Sequence, residues 1–361
     1  MDYLIFNNYP RLKAMVQGYK KVKIFTDETT PQWAIDKFAE NILQLRLVVS
    51  KVVLPKSYLS VSAADSIAPT GEDLVVALGC SHTISIAKYY AYCHIRPIIV
   101  VPFGEICQHD FSKYALIKDI KLCFYVCESP AAIFIDQDFF TESQTELLYS
   151  NLTYQNIVTF EKEFNEHIYN VQSAKTDSLV LAINKADTNL HSLASIYASC
   201  GLLCDNNKTS DIVGCNYTLA ALACKEGENL SQTLNSAGAL VTKFYDCLFR
   251  FDIIQNVPNL NLHIKRLKDY FGINCMQTIS LMPTLPQPES LVSTKGKLHA
   301  YMPYLKAKLS ACKSLYKPLA ANFSSKLVAS LALAASTTTK SSPLTFARDF
   351  GYFDPLLKGD L

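Results

Sequence analysis

The sequence has no marked excess of charge of either sign and no long hydrophobic run. Its 361 residues include 34 basic and 32 acidic side chains, which give a net charge of +2, and no block of Lys or Arg stands out. Nucleic acid is therefore not an expected partner. A membrane-spanning helix needs roughly 20 consecutive apolar residues. The candidate stretch Leu327–Ser336 is shorter than that and predicts a buried helix, so no membrane association is expected.

The N-terminus lacks a basic region followed by an apolar stretch, which predicts no secretory signal peptide. Twelve cysteines are scattered through apolar stretches of the chain. In the absence of a secretory signal, they are expected to be reduced, buried thiols. The expected location is the cytoplasm.

Charged residues make up only 18% of the chain and hydrophobic residues 49%, which is the composition of a globular protein long enough for two domains. Up to about Asp138, strand patterns alternate with helical ones, and this alternation predicts a parallel sheet with helices on both faces. Helical spacing dominates after that residue. We therefore predict an α/β domain over residues 1–140 and an all-helical domain over residues 141–361.

Glycine is scarce, and this matters most after the apolar run Leu74–Leu78. The run ends at Gly79, a short polar turn follows, and a helical pattern begins near Ile84. A strand, a tight turn and a helix N-terminus can together bind a pyrophosphate, because the first helical amides point at the anion. Such turns usually contain two or three glycines, whereas this one contains Gly79 alone.

Four segments follow one another in this region: VVALGCSHTISIAKYYA from Val75 to Ala91, then VVPFG, SKYALIKD and AIFID. In order and spacing they resemble motifs of the dehydroquinate synthase-like and iron-containing alcohol dehydrogenase superfamily, with the glycerol-1-phosphate dehydrogenase branch the most similar. The resemblance covers roughly residues 20–140. It implies a nucleotide-binding α/β domain, a helical domain, and an active site in the cleft between them.

The resemblance also implies which residues would contact NAD or NADP. Asp27 would hydrogen-bond the adenosine ribose. His82 would touch a phosphate or cap the helix, and Lys88 is either a functional or a solvated helix lysine. Side chains stand where the superfamily has glycines, so weak nucleotide binding or none is expected. The full predicted set is Asp27, Gly79, Cys80, Ser81, His82, Lys88 and Pro102.

Enzymes of this superfamily hold a divalent metal through an acidic residue and two histidines. Aligning the corresponding segments places Tyr154, Tyr217 and Ala237 at the ligand positions. Two phenols and a methyl group offer no carboxylate or imidazole, so no catalytic metal is expected.

Other clusters are weaker candidates for metal binding. Acid–histidine pairs at i,i+4 spacing are expected to be partners on a solvent-facing helix surface rather than ligands. Cysteines at zinc-like spacing lie in apolar helical sequence, which favours packing. The pairs are Glu163 with His167 and Asp187 with His191, and the cysteines are Cys200, Cys204, Cys215 and Cys224.

Three functional hypotheses follow from the sequence. The favoured one is a non-catalytic member of the superfamily that binds a small molecule or nucleotide, or that assembles, for instance as a homo-oligomer. The second is an active NAD(P)- and metal-dependent polyol or polyol-phosphate dehydrogenase whose metal ligands lie elsewhere. The third is a metal-free lyase or isomerase that uses His109, Asp110 and Lys118.

Overall fold

A six-stranded parallel sheet forms the centre of the N-terminal part of the chain. The strands lie in the order β1-β8-β5-β4-β2-β3, and every pairing between neighbours is parallel. They are β1 (Leu4–Phe6), β2 (Lys21–Asp27), β3 (Val48–Leu54), β4 (Leu74–Gly79), β5 (Ile98–Pro102) and β8 (Ala132–Ile135). All residues of β4 and β5 are buried, as expected of central strands covered on both faces.

Helices connect these strands, which confirms the predicted α/β class. They are α1 (Tyr9–Val16), α2 (Gln32–Leu43), α3 (Val61–Asp65) and α4 (Ser81–Cys93). Between β5 and β8 the chain forms a 3₁₀ turn (Gln108–Phe111) and an antiparallel hairpin of β6 (Tyr114–Lys118) and β7 (Leu122–Val126). The predicted strand, turn and helix around Gly79 are therefore present as β4 and α4.

A buried polar network fixes α4 on the sheet near the amino ends of the strands. Lys23 on β2 donates to the hydroxyl of Tyr90 on α4 (2.8 Å), and that hydroxyl donates to the carboxylate of Glu72. The Lys23 Nζ and Glu72 Oε2 atoms are 3.6 Å apart, and both side chains are about 2% exposed. Burial would raise the pKa of Glu72, but hydrogen bonds from Tyr90 and Thr70 outweigh it and lower this pKa to about 2.

This computed structural model describes residues 3–43, 48–55, 60–118, 122–152, 155–170, 178–179, 181–183, 185–205, 258–271, 296–304, 306–307, 329–330, 332–333, 336 and 342–358. These residues fall into two compact units. The first holds the described residues up to 152 together with 185–205, and the second holds the remainder. No helix within these ranges is long and apolar enough to cross a membrane.

The first unit continues beyond the sheet into α5 (Glu142–Leu152) and α7 (Leu190–Asp205). The hydroxyl of Tyr197 on α7 donates to the Leu148 carbonyl of α5 (3.2 Å). The hydroxyl of Tyr3 donates to the Ala198 carbonyl (3.3 Å). Helix α7 therefore packs against the sheet unit, although about 30 residues of the other unit precede it in the chain.

In the second unit every described element is helical. The elements are α6 (Gln155–Phe164), a π turn (Asn165–Tyr169), α8 (Leu260–Phe271), α9 (Pro343–Asp349) and α10 (Phe353–Lys358). Asp354 of α10 accepts hydrogen bonds from the His263 Nε2 (2.7 Å) and from the Asn259 amide (2.8 Å). The C-terminal helices are thus part of the packed interior of this unit.

Candidate functional site

The predicted nucleotide-contacting residues meet at the carboxyl edge of the sheet. In the sheet register Gly79 at the end of β4 pairs with Pro102 at the end of β5, and Asp27 ends the neighbouring strand β2. Helix α4 begins two residues after Gly79, so its N-terminal amides face this edge. Ligands of open parallel sheets bind at such an edge, next to a helix N-terminus.

Asp27 is hydrogen-bonded within the protein through both carboxylate oxygens. Its Oδ1 accepts from the amides of Thr29 and Thr30, each at 2.9 Å. Its Oδ2 accepts from the Cys80 amide (3.1 Å) and the Thr83 hydroxyl (2.6 Å). Burial would raise the pKa of Asp27, but these bonds outweigh it and hold the pKa below its usual value. A ribose-binding role for Asp27 stays a prediction, and a ribose hydroxyl would compete with these donors.

The carboxylate of Asp27 lies so close to the backbone at position 79 that only glycine fits there. A Cβ atom at this position would lie 2.3 Å from the Asp27 Oδ2 and 3.1 Å from the side chain of Thr83. The missing side chain therefore makes room for the protein's own carboxylate. In the superfamily pattern, the same glycine is expected to make room for a pyrophosphate.

Two carboxylates accept hydrogen bonds from backbone amides at the start of α4. The Cys80 amide donates to Asp27, and the Ser81 amide donates to the Glu105 Oε1 at 3.1 Å. The Ser81 hydroxyl donates to the Asp110 Oδ2 at 2.8 Å, and the same oxygen accepts from the Cys107 amide at 2.7 Å. An anion at this helix end would meet two amides, those of Cys80 and Ser81, that are already bonded to carboxylates of its own sign.

Sequence reasoning missed Glu105, and it named Asp110 only in the lyase hypothesis. A signal was available: both acids follow the end of β5, which pairs with β4, so they reach the edge where α4 begins. Carboxylates near a helix N-terminus are stabilised by the helix dipole. Gly104 has a φ of +74°, a left-handed conformation that favours glycine, and this residue directs the chain into the Glu105 position.

Burial dominates the electrostatics around this turn. It raises the pKa of Asp110 to about 7, and it lowers the pKa of His82 to about 4 and that of His109 to about 3. It also raises the pKa of the Cys80 thiol to about 12, with the nearby charges of Glu105 and Asp27 acting in the same direction. Both histidines are neutral at pH 7, and Cys80 is a thiol. None of these three side chains offers a positive charge to a phosphate.

Lys88 is buried and faces the backbone of the following segment rather than solvent. Its amino group donates to the carbonyl of His109, to that of Ser112 at 2.7 Å and to that of Tyr114 at 3.3 Å. It therefore connects α4 to the start of the β6–β7 hairpin. The alternative of a solvated helix lysine is wrong, and a cofactor contact by Lys88 stays a prediction.

Residues that depart from the superfamily pattern also make internal contacts. Ser85, where the pattern has an Asp, accepts a hydrogen bond from the Leu116 amide of β6 (3.1 Å). Phe103, where the pattern has a Thr, follows Pro102 and donates its amide to the Gly79 carbonyl (2.9 Å). Its ring packs near Phe139, with the ring centroids 5.6 Å apart. At Phe103 an apolar ring thus stands where the pattern has a polar side chain, whereas Ser85 keeps a hydroxyl group.

The weaker candidates do not form a ligand set within the described ranges. Glu163 accepts from the Tyr304 hydroxyl (3.1 Å), while His167 stacks on Tyr301 with ring centroids 4.3 Å apart. Asp187 and Asn189 accept the amides of Asn189 and His191, respectively, just before and within the first turn of α7. No group of three or more His, Cys, Asp or Glu in the described residues could hold a metal ion.

Several predicted positions lie outside the described residues. They include the three former metal-ligand positions, two of the zinc-like cysteines, and the side chains of two residues whose backbone is described. The Cys200 side chain is buried and forms no disulfide. The positions outside are Tyr154, Tyr217, Ala237, Cys215 and Cys224, with the side chains of Cys204 and Lys118.

Comparisons with known proteins agree with the architecture. No family model matches the chain. Over 84 residues it is 33% identical to the glycerol-1-phosphate dehydrogenase (NAD(P)+) of Pyrobaculum neutrophilum, covering 22% of this chain and 24% of that protein. Over 117 residues it is 26% identical to the enzyme of the same name from Pyrobaculum islandicum, covering 31% and 32%. The chain thus spans 24% and 32% of the length of these two curated relatives.

Solved structures resemble the chain over almost its whole length. An iron-containing alcohol dehydrogenase of Thermotoga maritima has a TM-score of 0.55 at 13% identity, covering 98% of this chain and 97% of that one. An alcohol dehydrogenase of Oenococcus oeni has a TM-score of 0.56 at 11% identity, covering 99% and 97%. At such identities the likeness shows the fold, and it confirms the two-part α/β and helical architecture.

Proposed function

We propose a non-catalytic binding role for this chain, which has the fold of the iron-containing alcohol dehydrogenase superfamily and is 33% identical to a glycerol-1-phosphate dehydrogenase over 84 residues. In this proposal the scaffold is kept and the dinucleotide site is closed. The competing hypothesis is that the chain has the activity for which the relatives are named and is an NAD(P)-dependent polyol-phosphate dehydrogenase.

The observation that carries the proposal is the pairing of the α4 amides with Glu105 and Asp27. A pyrophosphate bound at α4 would have to displace both carboxylates from these donors. It would also lie near Asp110, a buried acid that already accepts from Ser81 and Cys107. The residues at this edge therefore do not fit a dinucleotide.

The chemistry of the surrounding side chains supports the same proposal. Lys88 donates to three backbone carbonyls, and burial lowers the pKa of His82 to about 4, so neither presents a cationic hydrogen-bond donor to a phosphate at neutral pH.

Calorimetric titration of the purified full chain with NADH and NADPH tests the proposal, together with elemental analysis for zinc, iron and nickel. We expect no saturable binding below millimolar nucleotide and no stoichiometric metal. Micromolar affinity for NADH or NADPH, or metal-dependent oxidation of glycerol or glycerol phosphate, would overturn it.

A variant expected to gain nucleotide binding tests whether Glu105 blocks the α4 N-terminus. Glu105→Gln removes the charge from the α4 N-terminus and should raise the affinity for ADP, because an anion would meet one less carboxylate there. Glu128→Gln changes an exposed glutamate elsewhere in the first unit and should leave ADP binding unchanged. Equal ADP affinities for the wild type and Glu105→Gln would count against occlusion by Glu105.

A further inference from the structure

A separate cavity of about 670 Å³ lies in the first unit, between the starts of α5 and α7 and the end of β1. Its size lies within the usual range of small-molecule sites. Phe6 from β1 and Phe140, just before α5, contribute apolar walls, and His191 lines it from α7. The residues that contact the α4 amides do not line it, so the cavity is distinct from the closed nucleotide edge.

Two acidic side chains line this cavity. Glu142 and Glu146 line it from α5, at i,i+4 spacing on one helix face, and both are exposed to solvent. No Lys or Arg is among its described lining residues. Within the part of the chain that the structure describes, neither glutamate forms an ion pair. Two like charges one turn apart repel each other, and a bound cation would relieve that repulsion.

The helix starts that face the cavity offer little to an anion. The Thr141 amide donates to the Gln144 side chain (2.8 Å), and the Gln144 amide donates to the Thr141 hydroxyl (3.3 Å). The His191 amide donates to the Asn189 side chain (2.8 Å). These first-turn amides are satisfied by local caps, which leaves the two carboxylates as the charged groups open to a ligand.

Aromatic side chains also line the cavity. The rings of Phe6 and His191 meet edge to face, with centroids 4.8 Å apart. Aromatic rings attract organic cations through the negative face of the ring, and carboxylates add a counter-charge. A ligand that uses both features carries an ammonium group on an apolar body.

We propose that this cavity binds a small organic cation, an amine or a quaternary ammonium compound, with Glu142 and Glu146 as counter-ions and Phe6 and Phe140 as the apolar wall. The site does not depend on the nucleotide edge. This proposal names the class of ligand that the binding role proposed above would serve. The nucleotide titration and the amine titration test different sites, so either proposal can fail without the other.

Choline and putrescine are the probes, titrated into the purified full chain by calorimetry. The uncharged isostere of choline, 3,3-dimethylbutanol, is the matched control ligand, because it keeps the shape of choline and removes the charge. We expect choline or putrescine to bind and 3,3-dimethylbutanol to bind about tenfold more weakly than choline, the equivalent of one modest ionic contact. Equal binding of choline and its isostere, or no binding of either amine at millimolar concentration, would overturn the proposal.

Substitutions of the residues that line the cavity test whether the amine binds there. Glu142→Gln with Glu146→Gln should weaken amine binding about tenfold or more, whereas Glu40→Gln, at an exposed glutamate of α2, should leave it unchanged. Phe6→Leu should weaken choline more than putrescine, because choline relies more on the ring face. Unchanged amine affinity in the double glutamate variant would place the binding elsewhere and refute this site.

Discussion

Asp27 sets the conformation of a turn that belongs to another strand. It lies at the end of β2, yet its carboxylate accepts from Cys80 and Thr83 at the end of β4 and the start of α4. Hydrogen bonds to a charged acceptor contribute about 1.5–3 kcal/mol each when the alternative is an unpaired group. One carboxylate thus holds the turn in place and also makes it unsuitable for a second anion.

Gly79→Ala should destabilise the protein, because the added Cβ would lie 2.3 Å from the Asp27 Oδ2. We expect a loss of about 1–3 kcal/mol in the free energy of unfolding, the usual range for overpacking a rigid site. Urea unfolding followed by circular dichroism measures it. Gly18→Ala is the control, since a Cβ at Gly18 meets nothing within 4 Å, and equal stability of the two variants would contradict the argument.

His82 should make the protein sensitive to acid. Burial lowers its pKa from 6.5 to about 4, so its stabilising contribution is fully present above pH 6.5 and is lost as the pH falls towards 4. The difference in unfolding free energy between wild type and His82→Gln should therefore shrink by about 3 kcal/mol from pH 8 to pH 4. The difference in unfolding free energy at pH 8, where His82 is neutral in both the folded and the unfolded protein, reports the change in packing.

Asp110 acts in the opposite direction and does not obscure this measurement. Its raised pKa means that stability falls as the pH rises from 3.8 to about 7. This contribution is common to wild type and His82→Gln, so it cancels in the difference. A difference that stays constant between pH 8 and pH 4 would show that His82 titrates normally in the folded protein.

At the scale of elements, α4 supports the β6–β7 hairpin through polar contacts that the sequence did not reveal. The Lys88 amino group donates to carbonyls at the start of the hairpin, and the Ser85 hydroxyl accepts the Leu116 amide. A two-stranded hairpin is marginally stable alone, so it depends on such contacts.

Lys88→Met should loosen this connection while keeping the aliphatic stem. Three buried carbonyls lose their donor, and we expect a loss of about 3 kcal/mol in unfolding free energy. Hydrogen exchange at the β6 amides should accelerate more than exchange at the β4 amides. Lys20→Met, at an exposed lysine, is the control, and uniform acceleration over both strands would argue against a local connection.

At the scale of the whole molecule, the first unit is discontinuous in the chain. Helix α7 buries Leu193, Ala194 and Tyr197, and it contacts α5 and Tyr3 through hydrogen bonds. Burying one large apolar side chain stabilises a fold by roughly 2 kcal/mol. Residues 1–152 alone would leave the apolar surface beneath α7 uncovered.

A fragment of residues 1–152 should therefore bind a hydrophobic dye, and a synthetic peptide of residues 185–205 should displace that dye and raise the melting temperature. A control peptide carrying Leu193→Asp should do neither, because it places a charge in a buried position. Identical effects of the two peptides would show that α7 does not cover this surface.

These features differ in how far local sequence determines them. The apolar run of β4 and the helical spacing after Gly79 are local patterns, and both elements form where predicted. Strand β1 has three residues, too few for a recognisable period. The Glu105 contact requires a left-handed Gly104 and a neighbouring helix end, and the packing of α7 requires residues far apart in the chain. Non-local geometry of this kind has no signature in a short window of sequence.

The pairing of β1 with β8 also affects how the chain can fold during synthesis. Asn7 and Gln137, just beyond the paired ends of these strands, are 130 residues apart. A ribosome that adds about 5–20 residues per second needs roughly 7 to 26 seconds to make that span. Throughout that interval β1 has no partner strand. In its last part, after β5 is made and before β8 follows, β5 also has an apolar edge that is not yet paired. The nascent chain thus passes through a stage, seconds long, in which an apolar strand edge is open to pairing with another chain.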